Sequence, residues 1–343
     1  MEAPLSHRYR EILSSIVRAY IETGEPVGSR TLSKGRPDAL SPASIRNIMA
    51  DLADGGYLAQ PHTSAGRVPT DKAFRAYVSA LSANRGAAAE AERVANELRT
   101  LDTVAERMGR SSSILTELTR NVGIAAAMPE LAQELDRIQL VPLSDRRVLM
   151  VLVTRDQMVR NRVVMLEEPA SPDELNSICN YVNRNFSGWQ LGMARRELLR
   201  RLMEERELYH EALRKLQWLS RQGLLEVDTS PELHMDGASN LLGLDLHLTR
   251  EKLRELFHAL EEKQRVIELL DRFLEQPAGQ LAVRVGLEEA HPAMKDLALI
   301  GISIRMPSGL PAKVAVLGPM RMHYERVMAA VLETSRALAS AQF

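Results

Sequence analysis

The chain has 343 residues, 45% of them hydrophobic and 26% charged, which is enough material for two or three soluble domains with real cores. A formal net charge of −1 means that bulk charge cannot mark it as a nucleic-acid binder, so any basic surface has to be local. No apolar run approaches the roughly 18 residues of a membrane span, and the first residues lack the basic-then-apolar layout of a signal peptide. The single cysteine, Cys179, excludes an internal disulfide and fits a reducing cytoplasm.

In chain order, Ile12, Leu13, Ile16, Val17, Tyr20 and Ile21 recur at helical spacing and predict a helix from about Ser6 to Thr23. Gly24 ends it and Pro26 prevents its continuation. Ser29 is the expected N-cap of a short second helix that stops near Gly35 and Pro37. Ser41 then caps a third, with Pro42 at the first helical position, where its missing N–H does no harm. Ile45, Ile48, Met49 and Leu52 form the buried stripe of this third helix, leaving Ala43, Ser44, Arg46, Asn47 and Ala50 outside.

Gly55-Gly56 closes the third helix and Tyr57-Leu58 begins a strand. From Gln60 to Thr70 a hairpin is bracketed by Pro61 and Pro69, with Gly66 to permit a tight tip and His62, Thr63, Ser64 and Arg67 as donors to phosphate oxygens. Arg pairs with guanine edges and Asn with adenine edges, while small neighbours let a helix sit deep in a groove. The bland alternative makes Arg46 and Asn47 ordinary solvated positions. A donor-rich hairpin directly after them favours a winged helix-turn-helix that reads DNA. Through residue 84 there are ten Lys/Arg against eight Asp/Glu, so the motif and not the charge carries this reading.

Past the hairpin, Phe74, Tyr77, Val78 and Leu81 predict a helix that closes the first unit, and residues 82–89 read as a linker. Val94, Leu98, Leu101, Ala105 and Met108 predict one connecting helix, and Ser111 to Ser113 the cap of another running to Asn121. Strands are expected at Arg137–Leu143, Arg147–Thr154 and Met158–Leu166, joined by short turns as an antiparallel meander. Helices follow, one from Pro172 and a longer one from Glu197 to Leu219 with many charges along it. A helix from Thr249 to Glu275 then precedes strands near Leu281–Val285, Leu297–Met306 and Lys313–Leu317, and a closing helix begins at Met322. Strands, a helical block, more strands and a last helix describe an α+β domain interrupted by an insertion.

The run Tyr20 to Leu32, the helix opening Ser41 to Asn47 and the hairpin Gln60 to Thr70 resemble the HrcA family of bacterial heat-inducible transcription repressors. Gly318-Pro319-Met320-Arg321-Met322-His323-Tyr324 is similar to that family's C-terminal signature, so the resemblance covers essentially the whole chain. It implies a cytoplasmic homodimer that binds an inverted-repeat operator in double-stranded DNA before chaperone genes and depends on the GroE chaperonin for its active form. It also implies a multidomain α+β protein: a winged helix-turn-helix at 1–84, a linker helix at 85–110, and a GAF-like domain at 111–170 and 229–343. A helical dimerisation domain is then inserted at 171–228. The expected DNA-contacting residues are Arg30, Ser41, Ala43, Ser44, Arg46 and Asn47 from the helices, with His62, Thr63, Ser64, Gly66 and Arg67 from the hairpin.

No enzyme chemistry is expected. The sequence holds no phosphate-cradling glycine loop, no His-Glu-x-x-His and no paired cysteines for zinc. His234-x-Asp236 is a coincidental pair, and Cys179, beside Ile178 and Tyr181 on an expected helix, reads as core. No cofactor or metal is expected. The alternative function is a winged-helix regulator whose GAF-like domain senses a small metabolite, although no residue set names a ligand.

Overall fold

The computed structural model describes residues 6–34, 40–61, 65–81, 88–129, 133–144, 146–204, 211–226, 230–243 and 249–340. Helix α1 (His7–Thr23) is capped by Ser6, whose hydroxyl accepts from the Tyr9 N–H, and ends on Gly24 at φ +75°. Helix α2 (Ser29–Lys34) starts one residue earlier than expected, because the Gly28 carbonyl accepts from Thr31 and Leu32 and so takes the capping place given to Ser29. Helix α3 (Pro42–Asp54) has Ser41 as its cap and buries the expected four residues. Strands β1 (Leu58–Ala59) and β2 (Val68–Pro69) pair antiparallel, and α4 (Asp71–Ala80) closes the unit with Ala73, Phe74 and Tyr77 buried.

The expected connecting helix is two helices, α5 (Ala88–Arg99) and α6 (Val104–Thr119). The break is a capping box: the Thr103 hydroxyl accepts from Glu106 N at 3.2 Å while the Glu106 carboxylate accepts from Thr103 N at 3.1 Å. Helix α6 runs through Ser111 and Ser112, both buried, so the expected cap there and the boundary at residue 110 both fall inside a continuous helix.

Strand β3 (Val122–Ala127) was not expected. It lies in a five-stranded antiparallel sheet of order β7-β3-β10-β9-β8, with β7 (Glu232–Asp236), β8 (Leu281–Val285), β9 (Leu297–Arg305) and β10 (Pro311–Pro319). Helices α5, α6 and α12 (Tyr324–Ser340) cover one face. The other is covered by α10 (Arg250–Glu261) and α11 (Lys263–Phe273), which replace the expected single helix and meet at Glu262.

The meander β4 (Leu135–Ser144), β5 (Arg147–Thr154) and β6 (Val159–Met165) forms as expected but does not join that sheet. It packs on α7 (Pro172–Phe186), α8 (Leu191–Glu204) and α9 (Glu211–Arg221) around its own core of Ile138, Leu140, Met150, Leu152, Val164, Ile178, Val182 and Phe186. These strands bury their apolar face on the helices that follow, so the meander shares a core with α7–α9 and not with the five-stranded sheet. Of the expected helix Glu197–Leu219, the part to Glu204 lies in α8 and the part from Glu211 in α9, while residues 205–210 lie outside the described residues.

Candidate nucleic-acid interface

Helix α3 presents its readout candidates because its burial stripe is on the opposite side. Ile45, Ile48, Met49 and Leu52 face α1, α2 and β1, so Ala43, Arg46, Asn47 and Ala50 are left exposed. Among the described residues, the side chains of Arg46 and Asn47 make no hydrogen bond or ion pair. Ser41 and Ser44 are engaged with each other at the helix start: the Ser41 hydroxyl accepts from Ser44 N at 3.1 Å, and the two hydroxyls are 3.0 Å apart. They cap the exposed N-terminus of α3, where Pro42 has no N–H and, among the described residues, the Ala43 N–H is left uncapped in the first turn. Arg30 is exposed on α2.

Two ties that the sequence did not reveal hold α3 in place. Tyr9 Oη on α1 donates to Asp51 Oδ2 on α3 at 2.6 Å, and this hydrogen bond to a carboxylate raises the Tyr9 pKa. Lys72 Nζ donates to the Gly55 carbonyl at 2.9 Å and lies 4.5 Å from the centre of the Tyr57 ring, binding the C-terminal end of α3 to α4. The Tyr9–Asp51 partners are 42 residues apart, beyond any periodicity signal.

The hairpin is clamped from an unexpected side. Val27 forms a bridge to Arg67, donating to its carbonyl at 2.8 Å and accepting from its N–H at 2.9 Å. This third strand-like segment passes so close that a Cβ on Gly66 would lie 2.6 Å from the Val27 oxygen and 2.7 Å from that of Pro26. Gly66 is thus needed for close backbone approach, not for a left-handed turn. Gln60 Nε2 donates to the Ala65 carbonyl at 3.2 Å across the hairpin base, and the Thr70 hydroxyl donates to the Gly56 carbonyl at 2.8 Å. Arg67 is half-buried beside this bridge, while His62, Thr63 and Ser64 lie outside the described residues.

Other chemistry-bearing residues serve packing. Cys179 is buried in α7 and burial pushes its thiol pKa up, away from the thiolate. His234 and Asp236 sit on edge strand β7, where the His234 ring meets Glu232 at 3.1 Å. Among the described residues, no group of three potential ligands is placed to hold a metal, and no helix is long and apolar enough to cross a membrane.

Residues 105–328 match the family described as HrcA protein C terminal domain. A heat-inducible transcription repressor HrcA of Geobacter sulfurreducens is 36% identical over 97% of this chain and 96% of its own length. That of Sorangium cellulosum is also 36% identical, over 97% of each chain, and that of Xanthomonas campestris is 33% identical over 98% of this chain and 96% of its own. A crystal structure of a hypothetical protein at 2.2 Å resolution has the same fold, with a TM-score of 0.62 at 23% identity over 98% of this chain and 99% of its own. An α+β chain of this kind, matching repressors over nearly its whole length, is a transcription regulator by class. It belongs to the HrcA family of heat-inducible transcription repressors.

Proposed function

We propose that the protein is a cytoplasmic, dimeric, sequence-specific repressor of chaperone genes that binds an inverted-repeat operator. The observation that carries this reading is the exposed face of α3 with the Arg46 and Asn47 side chains unengaged, beside a hairpin clamped to Val27. In this reading residues 6–81 are a winged helix-turn-helix. Helix α3 enters the major groove with Arg46 and Asn47 at base edges and Ala43 and Ala50 giving clearance. Arg30, the α3 N-terminus and the hairpin, through Arg67, hold the flanking backbone. The five-stranded sheet with its helices is the GAF-like domain, and the unit from β4 to α9 is the inserted dimerisation domain.

The insertion supports dimer formation through its open sheet face. Opposite the helices, Val141, Leu149 and Val163 align across the three strands, with Val153 and Val159 alongside, and Leu143, Val159, Val163 and Met165 are exposed. Exposed apolar side chains on an uncovered sheet face call for a partner, and two copies facing each other would pair them with themselves. The GAF-like sheet gives less support to metabolite sensing, because its face toward α10 and α11 is filled by Leu256, Leu260, Val266, Leu270 and Leu299. Release by loss of the folded state, with the GroE chaperonin maintaining the active form, is the preferred switch.

The deciding experiment is a footprint of the purified protein upstream of the chaperone genes of its source organism. Protection of two symmetric half-sites is expected. Uniform, sequence-independent protection would overturn specific repression.

A further inference from the structure

The segment Gly318–Tyr324, conspicuous in the sequence, packs against α4 through Tyr324 and against the end of α1 through Arg321. Tyr324 at the start of α12 is fully buried; its ring centre is 6.3 Å from that of Phe74 and 6.2 Å from that of Tyr77, both on α4. Phe74 in turn meets Tyr20 of α1 edge-on at 6.4 Å. The Tyr324 hydroxyl donates to the Met320 carbonyl at 2.8 Å, so the ring is oriented by its own signature loop. Met320 and Met322 are buried in the same apolar cluster, which runs without interruption from α1 to α12.

Polar contacts ring this aromatic centre. Arg18 on α1 reaches Glu325 at the start of α12 at 3.2 Å. Arg75 on α4 donates from Nε to the Val285 carbonyl at 3.0 Å and meets Glu288 at 3.4 Å. The Arg321 guanidinium lies on Gly24, at the α1 C-terminus where a cation is favoured and where a side chain at position 24 would collide with it. Each ion pair is about half exposed and weak alone. Together they add directional contacts at the rim of a buried apolar joint.

We propose that Arg18, Arg75, Tyr77, Arg321 and Tyr324 are positioning residues that lock the DNA-reading unit to the C-terminal body and thereby set the half-site spacing the dimer accepts. The inference rests on the dimeric operator reading above. A rigidly held pair of heads has a high effective concentration at one spacing and almost none at others, whereas freely pivoting heads tolerate many spacings at lower affinity. The joint uses α1 and α4, leaving α3 to read bases, so loosening it alters spacing preference without altering the preferred half-site.

The test uses the full chain and duplexes carrying the footprinted operator, its single half-site, and operators with the spacing lengthened or shortened in single base-pair steps. Wild-type protein is expected to prefer the intact operator over the half-site by about 100-fold, with a sharp optimum in spacing. The double variant Arg18→Glu with Arg75→Glu, which sets like charges against Glu325 and Glu288, is expected to keep half-site affinity, lose about tenfold on the intact operator and flatten the optimum. Adding Glu325→Arg and Glu288→Arg restores opposite charges and should restore the sharp optimum. A double variant that retains the wild-type spacing profile overturns the positioning role. A wild-type protein with no preference for paired over single half-sites overturns the dimeric reading instead, and the joint's role falls with it.

Discussion

At the scale of single residues, Arg46 and Asn47 are told apart from their neighbours by burial alone. They follow Ile45 and precede Ile48, both buried, and are themselves exposed, with side chains unengaged among the described residues. Replacing either with Ala is expected to weaken operator binding by about 1–3 kcal/mol and to relax preference at one base pair per half-site, checked by titration against single-base operator variants. Gly66 acts differently, since its constraint comes from the backbone of Pro26 and Val27. Gly66→Ala should displace the hairpin and destabilise the unit by about 1–3 kcal/mol, read by denaturant unfolding, while leaving the preferred bases unchanged. The α3 face was legible in the sequence because amphipathic spacing is local; the clamp by Val27 was not, because it joins segments whose side chains give no sign of each other.

At the scale of elements, local caps set where helices begin, and a cap residue can also tie two helices together. Ser171 and Glu174 form a capping box on α7, and Lys215 of α9 donates to Glu174 Oε1 at 2.7 Å. The Lys215 hydrogen bond, followed by those from Ser171, lowers the Glu174 pKa from 4.5 to about 2. A depressed carboxylate contributes stability that is present above its unfolded pKa and lost as pH falls through the folded value. The wild-type advantage over Glu174→Gln in thermal unfolding should therefore hold at neutral pH and vanish between about pH 4.5 and about pH 2. An equal advantage at both ends of that window would show that α7 and α9 are joined by packing alone.

At the scale of the whole molecule, the open face of β4, β5 and β6 and the state of folding are the two levers. Val163→Asp places a charge on edge strand β6 of that face, opposite Leu149, where the monomer leaves it exposed. It should leave the monomer folded, shift sedimentation from dimer toward monomer and abolish the preference for paired half-sites. Mild heating should lower the operator-binding fraction, because a partly opened strand domain exposes apolar segments such as β9, which is buried along most of its length. Adding the chaperonin with ATP should raise that fraction again. Heated protein that stays fully active alone, or a small metabolite that by itself sets release, would replace the folding switch with ligand sensing.

The sequence by itself determined the elements whose signals are local: α1 and α3 with their serine caps, the paired strands around Gly66, the β4–β6 meander and the β9–β10 hairpin turned at Ser308-Gly309. It also carried the family, since those motifs lie in short contiguous runs. Only the tertiary structure decided which strands share a sheet and where the units divide. Strand β3 is buried on both faces, so Val122–Ala127 shows no alternation to read, and its partner β7 lies more than a hundred residues on. The meander's separation from the five-stranded sheet follows from which helices cover it, a choice between two apolar surfaces that periodicity does not distinguish. The joint between Tyr324 and α4 was hidden for the same reason: a buried aromatic residue announces that it needs a partner, but only the folded chain selects one.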